Sequence, residues 1–198
     1  IVVTVTTPPN SITILPSGPT TICQGSSVSY TIKYDALAGF SGLTTFSATG
    51  NPVGTTVTFS PTSISASGNV TMTISNTTGT TPGFYGIIVT ATSASVTKTA
   101  PFYLELLNSN FTASSLTFPA NNSIGQGVSL NLTWLADSNA SMYDVQVATD
   151  LTFTNIVSSG TVTTNSYSVS GLAEGSTYYW RVLPKNTACS GTFSSEYR

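Results

Sequence analysis

The chain contains no histidine in its 198 residues. That removes the commonest general base and metal ligand, and with it any Ser-His or Cys-His nucleophile pair. Acid–base work would fall to the seven carboxylates, Asp35, Glu105, Asp137, Asp144, Asp150, Glu174 and Glu196. They follow no repeating spacing, and a glycosidase needs two of them facing each other across a cleft. Asp137, Asp144 and Asp150 could be grouped as oxygen ligands for calcium. Their neighbours instead suggest two Asx turns and one solvated strand residue. No catalytic residue, cofactor or metal site is expected, and the chain is read as not an enzyme.

Composition sets the elements that could carry any site. Ser and Thr make up a third of the chain. Thr and Val suit a pleated, half-buried surface, whereas strong helix formers are scarce. The class is all-β. Only 6% of residues are charged, against about 25% in ordinary soluble domains. A net charge of -2 and a pI near 4.7 give no basic patch, so nucleic acid and anionic membrane are poor partners. Mean hydropathy is +0.20, yet no apolar run approaches the roughly 18 residues that span a bilayer, so no membrane insertion is expected. The chain starts at Ile1 without Met, and its last strand looks barely finished at Arg198. We read it as a piece of a longer protein.

Alternation divides the chain in two. From Ile1 to Leu107, strands read at Ile12–Ile14, Ser27–Tyr34, Leu43–Ala48, Thr56–Phe59, Asn69–Ile74, Phe84–Thr92 and Val96–Leu106. Val28, Tyr30, Ile32 and Tyr34 share one face. Gly50-Asn-Pro, Ser60-Pro, Ala66-Ser-Gly and Thr81-Pro-Gly provide the turns. About seven short strands of this kind argue for an Ig-like sandwich. Pro82-Gly-Phe-Tyr85 before Ile87-Ile-Val89 hands a glycine turn to an aromatic at the start of the penultimate strand. Asn108–Asn110 is a short polar linker, and the second domain runs from Phe111 to Arg198.

In the second domain, Leu130-Asn-Leu-Thr-Trp134 places Leu130, Leu132 and Trp134 on one face. Tyr143, Val145 and Val147 point inward, and Asp144 and Gln146 outward. Asp150-Leu-Thr-Phe153 and the strand Ser166–Val169 follow. The most informative stretch is Gly171–Val182. Leu172 caps the core, Gly175 makes the turn, and Tyr178 opens a strand that sends Trp180 and Val182 inward. A Tyr at that position can bond its hydroxyl to a backbone group a few residues upstream, the tyrosine corner of sandwich folds. The spacing Leu-x-x-Gly-x-x-Tyr-x-Trp-x-Val, the core Trp134, and Asn186 with Gly191-x-x-Ser194 resemble the fibronectin type III pattern. Thr58-Phe-Ser-Pro61 followed by Val70-Thr-Met-Thr-Ile74 resembles bacterial Ig-like modules found in tandem.

The resemblance implies two β-sandwiches in series, Ig-like then fibronectin type III. Similar tandems sit beside catalytic domains in secreted proteases and polysaccharide hydrolases of Gram-negative gliding bacteria. The function it implies is that of a non-catalytic spacer, secreted or on the cell surface and monomeric. Its partners would be the flanking domains of the same polypeptide. The rival reading is an adhesin-like accessory module that binds carbohydrate or a cell-surface protein. Pairing as in the family would put Tyr179 and Arg181 beside Asp144 and Gln146 as a possible binding surface. The plainer reading of those four is a cross-strand Asp–Arg pair worth a few tenths of a kcal/mol. An exposed aromatic strip would favour binding, but the outward positions read mostly as Ser and Thr. Trp134 and Trp180 read as core rather than as sugar platforms.

Each domain holds one cysteine, so neither can form the intradomain bridge of antibody domains. In a seven-strand sandwich the turn after the first strand lies at the exit end, where Cys23 falls. The loop between the last two strands lies at the entry end, where Cys189 falls in the second domain. A short linker turns these ends toward each other and predicts a Cys23–Cys189 disulfide. Closing so long a loop stabilises by roughly 5 kcal/mol in the chain-entropy model. The alternatives are free thiols, or Cys189 paired with a cysteine beyond Arg198.

Overall fold

The computed structural model describes residues 11–198; the expected start of the first domain at Ile1 lies outside them. Every element among these residues is a strand. The chain divides into two compact units, one ending at Leu107 and one spanning Asn108–Arg198. Asn108–Asn110, expected as a linker, thus falls within the second unit.

The strands of the first unit are β1 (Ser11–Leu15), β2 (Thr20–Cys23), β3 (Val28–Leu37), β4 (Thr44–Thr49), β5 (Thr56–Ser60), β6 (Ser63–Ile64), β7 (Gly68–Ser75), β8 (Gly83–Thr92) and β9 (Thr97–Leu107). They form a four-stranded sheet, β1-β3-β7-β5, and a five-stranded sheet, β2-β9-β8-β4-β6. Two of them, β2 and β6, differ from expectation. Pro16 and Pro19 cannot continue a ladder, so the chain leaves β1 and switches sheets. As β2 it then pairs parallel to β9, with Thr21 opposite Glu105 and Cys23 opposite Leu107. Cys23 therefore ends an edge strand and does not sit in a turn. Strict alternation along β3 puts Tyr30, Ile32 and Tyr34 in the core against Val70, Met72, Ile74, Ile87, Val89, Phe102 and Leu104. Tyr30 meets Phe102 edge-on at 5.6 Å, and the buried Tyr34 and Thr44 hydroxyls bond each other at 2.9 Å.

The second unit contains β10 (Leu116–Phe118), β11 (Leu130–Trp134), β12 (Met142–Ala148), β13 (Ile156–Val162), β14 (Ser166–Val169) and β15 (Tyr179–Lys185). Its sheets run β10-β11-β14 and β13-β12-β15. Beyond Lys185 the chain runs along the free edge of β15, with bridges at Lys185–Ser190 and Trp180–Tyr197 and the Gly191 and Ser194 amides donating to the Pro184 and Val182 carbonyls. The core gathers Leu116, Leu132, Trp134, Tyr143, Val145, Val147, Val169, Trp180 and Val182. Both tryptophans are buried, and Trp134 packs edge-on to Tyr143 at 5.3 Å. Removing a ring of this size from a core costs about 3–5 kcal/mol.

Strand β13 is an addition to the sequence reading. Ser158, Ser159 and Gly160 weaken its β signal, yet Gly160 has a packing role. A Cβ there would come within 2.8 Å of the Tyr167 ring, whose hydroxyl bonds Ser158 at 2.9 Å.

Candidate functional site

The Gly171–Val182 corner forms as the spacing requires. Gly175 takes φ +69°, a region costly for other residues, and turns the chain back toward the core, against which Leu172 packs. The Tyr178 hydroxyl accepts the Ala173 amide at 2.9 Å, while Trp180 and Val182 are buried. Tyr178 lies just before β15 and does not itself open the strand. The first unit repeats the device: the Tyr85 hydroxyl donates to the Thr81 carbonyl at 2.6 Å. Beneath the Tyr178 corner a cavity of about 760 Å³ reaches Leu130, Leu132, Val169 and Trp180, with Glu174 and Arg198 also on its wall. It is the open end of the core.

The four residues read as a possible binding surface do share the outer face of β12 and β15, but their pairing is not the expected one. The register sets Gln146 opposite Arg181 and Asp144 opposite Leu183. Arg181 accordingly donates from Nε to Gln146 Oε1 at 2.8 Å. Its guanidinium carbon lies 3.9 Å from the Phe153 ring centroid and 4.0 Å from that of Phe193. Asp144 instead takes Lys185 at 2.6 Å and the Thr161 hydroxyl at 2.5 Å. Burial pushes the Asp144 carboxyl up, but Lys185 and Thr161 outweigh it and hold it below its ordinary value. The expected Asp–Arg pair is absent because the strands are offset by one outward position. Tyr179 stands opposite Ala148, away from Asp144. Of the four, Arg181 and Gln146 bond each other, while Asp144 is held by Lys185 and Thr161.

The other two members of the would-be calcium group, Asp137 and Asp150, are turn-formers. Asp137 accepts the Asn139 amide at 2.7 Å and the Thr112 amide at 2.6 Å. Asp150 accepts the Thr152 hydroxyl, the Thr154 amide and hydroxyl, and the Asn155 amide. These bonds, Thr152 first, hold its carboxyl well below the usual carboxylate range. The turn also places Phe153 at φ +57°, an unusual conformation for a bulky residue, and sets its ring beside Arg181. Among the described residues no cluster of three or more His, Cys, Asp or Glu could hold a metal ion.

A polar network fastens the start of the second unit. The Asn108 side chain donates to Asn139 at 2.9 Å, and the Asn108 carbonyl accepts from Asn186 at 2.9 Å. Asn186 Oδ1 in turn accepts the Cys189 amide at 2.8 Å. Cys23 and Cys189 are both disulfide-bonded, and no described cysteine is free.

One surface feature escaped the sequence reading. Phe84 and Tyr103 stack on the outer face of the five-stranded sheet, their centroids 5.6 Å apart and their planes at 20°. Phe84 is 65% exposed and Tyr103 40%. Tyr103 stands opposite Gly86, and Phe84 opposite Glu105, whose carboxylate accepts the Thr21 hydroxyl at 2.9 Å. The signal was available: with Tyr85, Ile87 and Val89 inward, Phe84, Gly86 and Ile88 must face out.

No protein-family model matches the chain, and no curated protein matches it. Solved structures do. A crystal structure of consecutive titin domains aligns with TM-score 0.63 and 16% identity, over 94% of this chain and 64% of that one. The FN1–FN3 domains of chicken CNTN1 align with TM-score 0.53 and 14% identity, over 96% of this chain and 64% of that one. The chain is two consecutive β-sandwiches, Ig-like then fibronectin type III. It spans less than two thirds of either structure, and at such identities the likeness is one of fold.

Proposed function

We propose that the two sandwiches are non-catalytic structural modules of a secreted or cell-surface multidomain protein, spacing neighbouring domains of the same polypeptide. A parent of the hydrolase or protease type, as in gliding bacteria, belongs to this proposal. The observation that carries it is that the two units follow one another in the sequence with no residue between them. Leu107 ends β9 with its carbonyl accepting the Gln24 amide at 3.0 Å. The next residue, Asn108, already bonds Asn139 and Asn186 of the second unit. A spacer gains from such a joint, because each loose residue widens the range of end-to-end distances. The sparse charge, tyrosine corners and disulfide-bonded cysteines suit a module built to persist outside the cell.

Small-angle scattering tests the reading. A narrow spread of inter-unit distances is expected, broadened by a short Gly-Ser insertion after Leu107. A broad spread in the unaltered protein overturns it.

A further inference from the structure

We infer that the exposed Phe84–Tyr103 stack is a contact site for a neutral saccharide. The inference does not rest on the spacer reading, which stands if this one fails.

Outward positions of β8 and β9 run Ile88, Gly86 and Phe84 beside Pro101, Tyr103 and Glu105. Gly86 has no side chain, and the Tyr103 ring lies over it: a Cβ built there would be 3.9 Å from the ring. Packing against Phe84 fixes the second ring, so the pair is preorganised before any ligand arrives. From below, the Tyr30 hydroxyl donates to the Tyr103 carbonyl at 3.0 Å, tying the platform to the core. Two large rings exposed together on a face otherwise rich in Ser and Thr need an explanation that scattered surface apolar residues do not.

Chemistry and size choose the occupant. An aromatic face attracts the polarised C–H bonds of a sugar ring, and the Glu105 carboxylate and Thr21 hydroxyl beside it can meet sugar hydroxyls. No Lys or Arg occupies the outward positions between Phe84 and Ile88 or between Pro101 and Glu105. Glu105 therefore disfavours acidic glycans and phosphate-bearing ligands. The two rings expose on the order of 200 Å², against about 800 Å² per partner in a standard protein interface. A neutral sugar ring matches the patch in size, polarity and charge.

Affinity gel electrophoresis of the intact chain tests it, with gels carrying hydroxyethyl cellulose, xylan or galactomannan, and polygalacturonate as the acidic comparison. At least one neutral polysaccharide should retard the protein. Phe84→Ala and Tyr103→Ala should each weaken that retardation at least tenfold, and Phe84→Trp should keep it. Both side chains are exposed, and circular dichroism checks that the variants fold. The inference is overturned by no retardation in any neutral gel, by retardation that both alanine variants retain, or by retardation in polygalacturonate alone. Sedimentation showing a dimer that Phe84→Ala dissociates would assign the patch to a second copy and overturn it too.

Discussion

Arg181 bonds Gln146 across the sheet and leaves Asp144 to Lys185. The choice follows from register. Directly opposite residues on one face of an antiparallel pair come closest, and Arg181 stands opposite Gln146. Once there, its flat guanidinium meets the Phe153 and Phe193 rings, a geometry that a compact ammonium cannot reproduce.

Arg181→Ala should therefore destabilise the second unit by about 1–2 kcal/mol. Arg181→Lys should recover less than half of that loss. Both tryptophans of the chain, Trp134 and Trp180, lie in the second unit, so urea unfolding followed by tryptophan fluorescence reads that unit alone. Equal midpoints for Arg181→Lys and the parent would show that charge, not stacking, is what counts.

The same pair shows how far the sequence could be read. Alternation told which residues of β12 and β15 face outward, because side-chain direction has period two whatever the partner. It could not tell which outward residues meet, because β12 and β15 are separated by two other strands and no turn joins them to set the register. Asp144 consequently looked like the partner of Arg181. The core and both corners were legible, since Tyr85 and Tyr178 each follow a glycine turn, at Gly83 and Gly175, by a few residues. Strand β13 was not, because Ser158, Ser159 and Gly160 mask a strand that one neighbour, β12, and the Tyr167 ring hold in place. Phe84 and Tyr103 were visible as outward residues but lie far apart in sequence, and only the β8–β9 pairing brings them together.

The two tyrosine corners should contribute alike and separately. Tyr178→Phe removes one hydroxyl and leaves the ring, so the second unit should lose about 0.5–1.5 kcal/mol. Tyr85→Phe should lower the first unit's stability by a similar amount and leave the tryptophan-reported midpoint unchanged. Calorimetry of the two variants checks this. A Tyr85→Phe variant that shifts the tryptophan signal by as much as Tyr178→Phe does would contradict the separation.

Acid should weaken the second unit through Asp150. Its carboxyl is depressed in the folded state, where Thr152, Thr154 and Asn155 donate to it, and titrates near about 3.9 when unfolded. The sign follows: the contribution is fully present above that unfolded value and is lost as pH falls through it toward the folded one. Urea midpoints read by tryptophan should fall between neutral pH and about pH 2, and Asp150→Asn should flatten the profile. A profile of unchanged slope in Asp150→Asn would remove Asp150 from the account.

Gly50 gives the sharpest backbone test in the first unit. It takes φ +82°, and a Cβ there would approach the Gly86 carbonyl oxygen to 2.4 Å, where only backbone could yield. Gly50→Ala combines strain with a clash and should cost more than about 2 kcal/mol. Gly54→Ala makes the comparison, since φ is similar at +87° but no atom lies within 4 Å. Its cost should be smaller, being the conformational part alone. Equal losses for the two, measured by calorimetry, would show that the approach to Gly86 carries no weight.

Cys23 and Cys189 are both disulfide-bonded, and the chain has two cysteines in all. We propose that they bridge each other within one molecule, one residue in each unit. Thiol titration of the unfolded, unreduced protein should then find no free thiol. The monomer should weigh less than its reduced form by the two hydrogens lost on bridging. A functional signature follows as well. While one unit stays folded, a bridge anchored in it restricts the unfolded chain of the other, so the full loop-closure gain of roughly 5 kcal/mol is an upper bound for either unit. Cys23→Ser alters only the first unit, yet it should lower the tryptophan-reported midpoint of the second. Reduction of the parent should lower it equally, and reduction of Cys23→Ser should add nothing. A covalent dimer on a non-reducing gel, two reactive thiols per chain, or a Cys23→Ser variant with an unchanged tryptophan midpoint would each defeat the proposal.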